Sequence, residues 1–402
     1  MTTVATPAPR GGASRTLRLV GFSIIAIAIY FVVLAVFATG GVATATQQVA
    51  NALTLGSIYA LIALGYTMVY GIIELINFAH GDVFMVGAFV ALAFMTGGLG
   101  LDDTFGAVPG LIVAFLLGLG MGALFWRGFL KGKGVQAAIV TAVCVVVAVG
   151  AELGLGLRAT IEEPLTLVVL LFAIFSVAMV SMAALNVGIE RFAYRPLRNA
   201  PRLAPLITAV GISFILQNFV QIWQGTGDRV PPSIFPNIHI ELFGASIRLI
   251  AIVIFIVAIV LMVGLQSFVS RSRLGRAMRS TAQDREAAQL MGVDLNLTIA
   301  ATFLLGGALA GAAGVFQDLY FGFARSDLGF NAGLKAFTAA VLGGIGNLTG
   351  AALGGFIIGF IEVAATALGY TQWSQAIVFT VLIVVLVFRP AGILGQQIGE
   401  RA

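Results

Sequence analysis

Charge is what this 402-residue chain has least of. Lys and Arg number 22 and Asp and Glu 17, about 10% of the residues, against roughly 25% in a soluble domain. A globule so poor in polar groups could not cover its own surface. That excludes a soluble enzyme, a nucleic-acid-binding protein and a disordered tail. Cysteine is nearly absent: the one thiol, Cys144, cannot close an intramolecular disulfide, and beside two His it makes no metal cluster. There is no GxxxxGK[ST] phosphate loop, since GFLKGKG at 128–134 has the wrong spacing and follows an apolar run rather than a strand. No nucleophile–base arrangement stands out either. The chain is therefore expected to have no catalytic residue, no metal, no cofactor and no ATPase activity of its own.

What it has is apolar length. Residues of apolar type make up 59% and Gly contributes 50. The net charge of +5 is read as the Lys and Arg excess of cytoplasmic loops in a membrane protein, not as a nucleic-acid footprint. A membrane-crossing helix needs about 20 mostly apolar residues. Charge-free stretches fall at 19–73, 83–101, 104–126, 134–151, 164–189, 203–227, 249–270, 295–317, 336–361 and 363–388. The first holds two spans divided near Gly40–Thr46. In the ninth, GGIGNLTG at 343–350 breaks the helix into a short piece near 335–345 and a span near 350–368. The expectation is an all-α, polytopic transmembrane bundle of about 11 spans.

The N-terminal tail, residues 1–16, is polar and leads into a retained helix at 17–39 rather than a cleaved leader. With both termini cytoplasmic, the outer side keeps only Arg158, Arg229, Arg248, Arg325 and Lys335, and the other 17 of the 22 basic residues lie inside. The segments 225–242 and 318–335 become irregular outer loops suited to a cap or partner docking. The sequon at Asn347 falls in a buried or cytoplasmic turn and is read as coincidental.

Three features carry information beyond hydropathy. Small residues recur four apart, at Gly118 and Gly122, Gly150 and Gly154, Gly307 and Gly311, and Gly355 and Gly359; in lipid such pairs let helix backbones approach closely. The stretch from Tyr70 to Gly87 sets Glu74, Asn77, His80 and Asp82 between two spans, with Gly71 and Gly81 weakening helix on either side. It reads equally as polar backbone folded into the bundle or as a solvated cytoplasmic loop. The third is the basic segment 271–296. Thr281 or Asp284 is placed to cap a short helix ending at Gly292, whose Ala287, Ala288, Leu290 and Met291 form a compact apolar face for a partner protein.

At these motifs the sequence resembles a known family. NALTLGSIYALIALGYTMVYGIIELINFAHGDVFMVGAFVAL at 51–92, IERFAYRPLR at 189–198, LGRAMRSTAQDREAAQLMGV at 274–293, KAFTAAVLGGIGNLTGAALGG at 335–355 and RPAGILG at 389–395 are similar to the permease subunit of bacterial branched-chain amino-acid ABC importers, of the type that pairs with a second, related permease. The resemblance implies a permease domain at 47–390 and a C-terminal cytoplasmic tail at 391–402. The helix at 17–39 and an insertion near 110–165 lie outside it. It implies a multi-pass inner-membrane protein working with a second permease, two ATP-hydrolysing subunits, an extracytoplasmic binding protein and membrane lipid. Asp284, Glu286, Ala287, Ala288, Met291 and Gly292 match the family's ATPase-coupling element.

A zwitterion crossing the bundle needs polar groups for both its charges. Candidates for the pathway are Asn51, Thr54, Ser57, Tyr59, Thr67, Asn77, His80, Gln217 and Asn218. The same architecture would serve urea or short amides. An ion-coupled secondary transporter or channel would need paired ionisable groups in mid-span, and apart from Glu152 and Glu362 the spans are nearly free of charge. A non-transporting scaffold would have no use for the coupling-like helix.

Overall fold

The computed structural model describes residues 11–96, 164–198, 200–201, 203–232 and 237–395. The expected spans at 104–126 and 134–151, nearly all of the 110–165 insertion, Cys144, Glu152, and the pairs Gly118/Gly122 and Gly150/Gly154 lie outside the described residues. Eleven helices are described: α1 (Gly11–Ile73), α2 (Ala79–Thr96), α3 (Pro164–Ile189), α4 (Leu203–Gln224), α5 (Leu249–Arg271), α6 (Arg273–Gln283), α7 (Arg285–Leu290), α8 (Leu295–Phe321), α9 (Leu328–Gly343), α10 (Leu348–Ala367) and α11 (Ser374–Phe388). A two-stranded antiparallel hairpin, β1 (His239–Leu242) and β2 (Ala245–Arg248), precedes α5. Among the described residues seven helical stretches are long and apolar enough to cross a membrane, and His80–Thr96 is a shorter apolar helix. The architecture is the all-α membrane bundle that the hydropathy pattern requires.

The backbone break expected near Gly40–Thr46 falls at Gly41, whose φ of 71° departs from helix and kinks α1. Other boundaries differ from the sequence reading. Helix α1 already runs from Gly11, across the boundary drawn between tail and first span. Gly71 does not end it; the chain leaves the helix at Glu74, which has φ 53°, and Gly81 sits inside α2. Most of 318–335 is not an outer loop, because α8 continues to Phe321, where Gly322 at φ 69° closes it, and α9 opens at Leu328. Helix α9 therefore begins well before 335, and Lys335 belongs to it. Residues 391–395 are not a free tail: the Ile393 and Leu394 amides donate to the carbonyls of Leu342 and Gly343 at 2.8 and 2.9 Å.

Small residues set the inner packing. A Cβ on Gly359 would stand 2.6 Å from Gly56 Cα, and one on Gly311 2.5 Å from the Ala178 carbonyl oxygen. Gly355 and Gly359 thus seat α10 on α1, and Gly307 and Gly311 seat α8 on α3, all within one chain. Such contacts replace the water-driven term that lipid does not supply. The outer helices are far less covered: α4 exposes Ile207, Phe214, Ile215, Phe219 and Ile222, and α11 exposes Ile383, Val387 and Phe388.

Candidate functional site

The two ends of the bundle differ in chemistry. At one end the hairpin, the segment after α4 and the α8–α9 turn meet: Arg229 and Ala324 exchange backbone hydrogen bonds at 2.9 and 2.8 Å. Arg248 donates to the Tyr320 carbonyl at 3.0 Å and lies over that ring. At the other end lie α6 and α7, the Arg-rich segment of the sequence.

Helix α6 buries Gly275, Met278 and Thr281 on one side and leaves Arg273, Arg276 and Arg279 exposed. Asp284 caps α7, its Oδ1 accepting from the amides of Glu286 and Ala287 at 3.0 Å each; Thr281 instead bonds back to the Ala277 carbonyl. Gly292, at φ 84°, follows α7, a conformation glycine adopts without strain. The apolar residues of this helix divide between two sides. Ala288 is buried against the bundle, while Leu290 and Met291 are 88% and 85% exposed, beside exposed Glu286 and Ala287. Arg285 fastens the unit to the bundle, donating twice to the Ile72 carbonyl at the end of α1, at 3.1 and 2.8 Å.

The polar stretch 74–82 is folded into the bundle rather than solvated. Asn77, His80 and Asp82 are all buried, and only Glu74 is exposed. Asn77 accepts from the Tyr194 hydroxyl at 3.0 Å; Tyr194 closes a π-helical turn, Glu190–Tyr194, that extends α3, the kind of irregularity that gathers at functional places. Glu190 pairs with Arg198, and Arg198 also donates to Asn296 at 2.8 Å. The His80 ring packs edge-on to Tyr66, centroids 4.9 Å apart, and a small cavity beside it is lined by Tyr66, Thr67, Tyr70, Ile76 and Phe337.

Two polar clusters lie at helix depth. In the first, Asp82 of α2 accepts from the Ser213 hydroxyl and from Gln217 Nε2 at 3.0 Å, both on α4. On its other side α2 lies close against α9: a Cβ on Gly81 would stand 2.7 Å from Gly333 Cα. In the second, Glu362 of α10 accepts from the Tyr59 hydroxyl of α1 at 2.9 Å and from Lys335 Nζ of α9 at 2.6 Å.

The structure thus separates the sequence-chosen pathway residues. Tyr59 and Gln217 each join one of these clusters. Asn51 accepts from Tyr320 at 3.0 Å near the hairpin end. Thr54 and Ser57 turn back onto the carbonyls of Ala50 and Leu53, and Asn218, exposed, bonds to the Phe214 carbonyl. Asp82, Ser213, Lys335 and Glu362 were not among the chosen residues. Glu362 was visible as a lone charge in an apolar run and Asp82 as part of the polar stretch between two spans; Ser213 and Lys335 needed their partners to be seen.

An apolar bundle of spanning helices, threaded with buried polar clusters and carrying a capped helical unit at its basic end, defines a membrane permease subunit. The chain belongs to the family of branched-chain amino acid transport system permease components, whose model matches residues 48–164 and 147–386. It is 38% identical over 361 residues to the high-affinity branched-chain amino acid transport system permease protein BraD of Pseudomonas aeruginosa, covering 88% of this chain and 97% of that one. It is 39% identical over 359 residues to the permease protein LivH of Escherichia coli K12, with the same coverage. An archaeal relative, the probable branched-chain amino acid transport permease protein LivH of Methanocaldococcus jannaschii, is 25% identical over 358 residues, 86% of this chain and 91% of that one. No solved structure matches.

Proposed function

We propose that this chain is a pathway-forming subunit of an ATP-driven importer for branched-chain or other hydrophobic amino acids in a bacterial inner membrane. It works beside a second, related permease, takes its cargo from an extracytoplasmic binding protein, and draws energy from two ATPase subunits docked at α6–α7, with that end cytoplasmic. One observation carries the reading: a capped helix at the basic end presents two bare apolar side chains, Leu290 and Met291, and is bonded through Arg285 to the end of a spanning helix. ATP bound preferentially to one arrangement of the partners would bias the bundle between outward- and inward-facing states.

The test is uptake in proteoliposomes holding the two permeases and two ATPases with the binding protein outside. Leucine accumulation is expected only with ATP and all subunits. An ion-coupled transporter is the second reading, and the Lys335–Glu362 pair at helix depth is the observation in its favour. Uptake by this chain alone, driven by an ion gradient, would falsify the importer reading. Calorimetry of the binding protein with leucine, urea and acetamide identifies the cargo; retention of urea or acetamide in place of leucine overturns the amino-acid assignment.

A further inference from the structure

We propose that Lys335, Glu362 and Tyr59 form a subsite for a zwitterionic solute, the Lys335 ammonium taking its carboxylate and the Glu362 carboxylate, with Tyr59, its ammonium. The inference rests on the importer reading and specifies which groups of this chain would meet the cargo.

The cluster is costly for what it does as a fastening. Two full charges are withdrawn from bulk water, and such a pair contributes little net stability compared with well-packed apolar side chains. The same helices are already joined without it. Gly355 and Gly359 bring α10 against α1, and Gly354 of α10 meets the Ala339 carbonyl of α9. Ionisable groups held at this depth are best explained by something that passes them.

Access and charge point the same way. Asp82 is fully covered, whereas the Lys335 and Glu362 side chains keep 14% and 16% of their surface open. Each Glu362 oxygen holds a single donor, Lys335 at 2.6 Å and Tyr59 at 2.9 Å. A carboxylate oxygen can accept a second, and the ammonium has three N–H bonds to give. Lys335 Nζ stands 5.8 Å from the centre of the Tyr59 ring, so a small displacement leaves the cation over an aromatic face while a ligand separates the pair. A zwitterion is the ligand this exchange suits: it brings one charge of each sign, so neither protein charge is left uncompensated in a low dielectric. A neutral amide or a single ion would strand at least one of them.

The complete assembly, with leucine as the probe, tests this. In the double variant Lys335→Met/Glu362→Met the pair gives way to apolar groups of similar length. We expect the complex to assemble in wild-type amount, while leucine uptake falls by about tenfold or more, as for the loss of charge-assisted contacts. Uptake within about twofold of wild type in the assembled complex overturns the subsite. Should that variant fail to assemble, the exchange Lys335→Glu/Glu362→Lys restores a pair with its polarity reversed. Assembly with recovered uptake, or failure of this variant too to assemble, shows a fastening and overturns the proposal; assembly with uptake still lost supports it. Absence of ATP-dependent uptake by the wild-type complex instead defeats the importer reading, so the two failures are distinguishable.

Discussion

Asp82 is buried in an apolar bundle, yet neither of its carboxylate oxygens lacks a donor, because Ser213 and Gln217 both reach it from α4. Removing the acceptor strands the Ser213 hydroxyl and leaves Gln217 Nε2 only its 3.2 Å bond to Ser213 Oγ. Asp82→Ala should therefore cost about 1–3 kcal/mol for each group left unsatisfied, read as a lower melting midpoint when detergent-solubilised protein is heated and the surviving monodisperse fraction measured. Ser213→Ala should cost only about 1 kcal/mol, since Gln217 still donates. Equal midpoints for Asp82→Ala and wild type would show that the network does not hold α2 to α4. This is also the scale at which the sequence is least legible. Asp82 stands out in an apolar helix, but the residues that satisfy it lie more than 130 positions away in another span, with no local spacing to announce them. Lys335 misled for the same reason: a cation near a loop reads as solvated until Glu362 is placed opposite it. Thr54 and Ser57 show a further limit: each hydroxyl bonds the carbonyl four residues back, an option open to any such group in a helix, so sequence does not announce which partner it takes.

Elements were read more easily, because their signals are local. Asp284 before REAAQL and Gly292 after it mark a capped short helix, and that helix is present. Its two-sidedness was not legible: sequence grouped Ala288 with Leu290 and Met291, but only the tertiary fold turns Ala288 inward. Leu290→Asp with Met291→Asp should thus reduce co-purification of the ATPase subunits about tenfold while leaving the chain's own melting unchanged; unaltered co-purification would remove the docking role. Asp284→Ala should lower coupling more mildly, through loss of a cap worth about 1 kcal/mol, seen as less leucine taken up per ATP hydrolysed. The pairs Gly307/Gly311 and Gly355/Gly359 were legible as close-packing positions, and the structure supplies their partners. Gly359→Val, pressed onto Gly56, should destabilise the chain by about 1–3 kcal/mol as overpacking does, whereas Gly211→Val, which meets open space, should not; the same heating assay decides it. The boundary of α9 was missed because Gly329 and Gly333, weak helix formers, serve there as contact points for α2.

Among the described residues the bundle is asymmetric: the Gly40–Ile73 part of α1, α2 and α8 are sheathed by neighbours, while α4, α5 and α11 present apolar sides. Hydropathy alone could not rank the spans in this way: the well-buried Gly40–Ile73 has a mean hydropathy of 1.7, close to the 1.8 of the exposed α4. The end-to-end contrast in charge yields an orientation test. In a Cys144→Ser background, Met291→Cys should label with a membrane-impermeant maleimide only from the cytoplasmic side, and Phe243→Cys, at the exposed hairpin turn, only from the outside. Exchanged sides would invert the topology, and labelling of both from one side would undo it.

The bond between Arg285 and the Ile72 carbonyl has a mechanical consequence. The helical stretch Gly40–Ile73 ends at that bond and carries Tyr59 thirteen residues earlier, about 20 Å along its axis at 1.5 Å per residue. Helical hydrogen bonds make such a segment stiff along its length, so it behaves as a pushrod. A thrust from a partner docked at α6–α7 would then be passed along it to the hydroxyl that rests on Glu362.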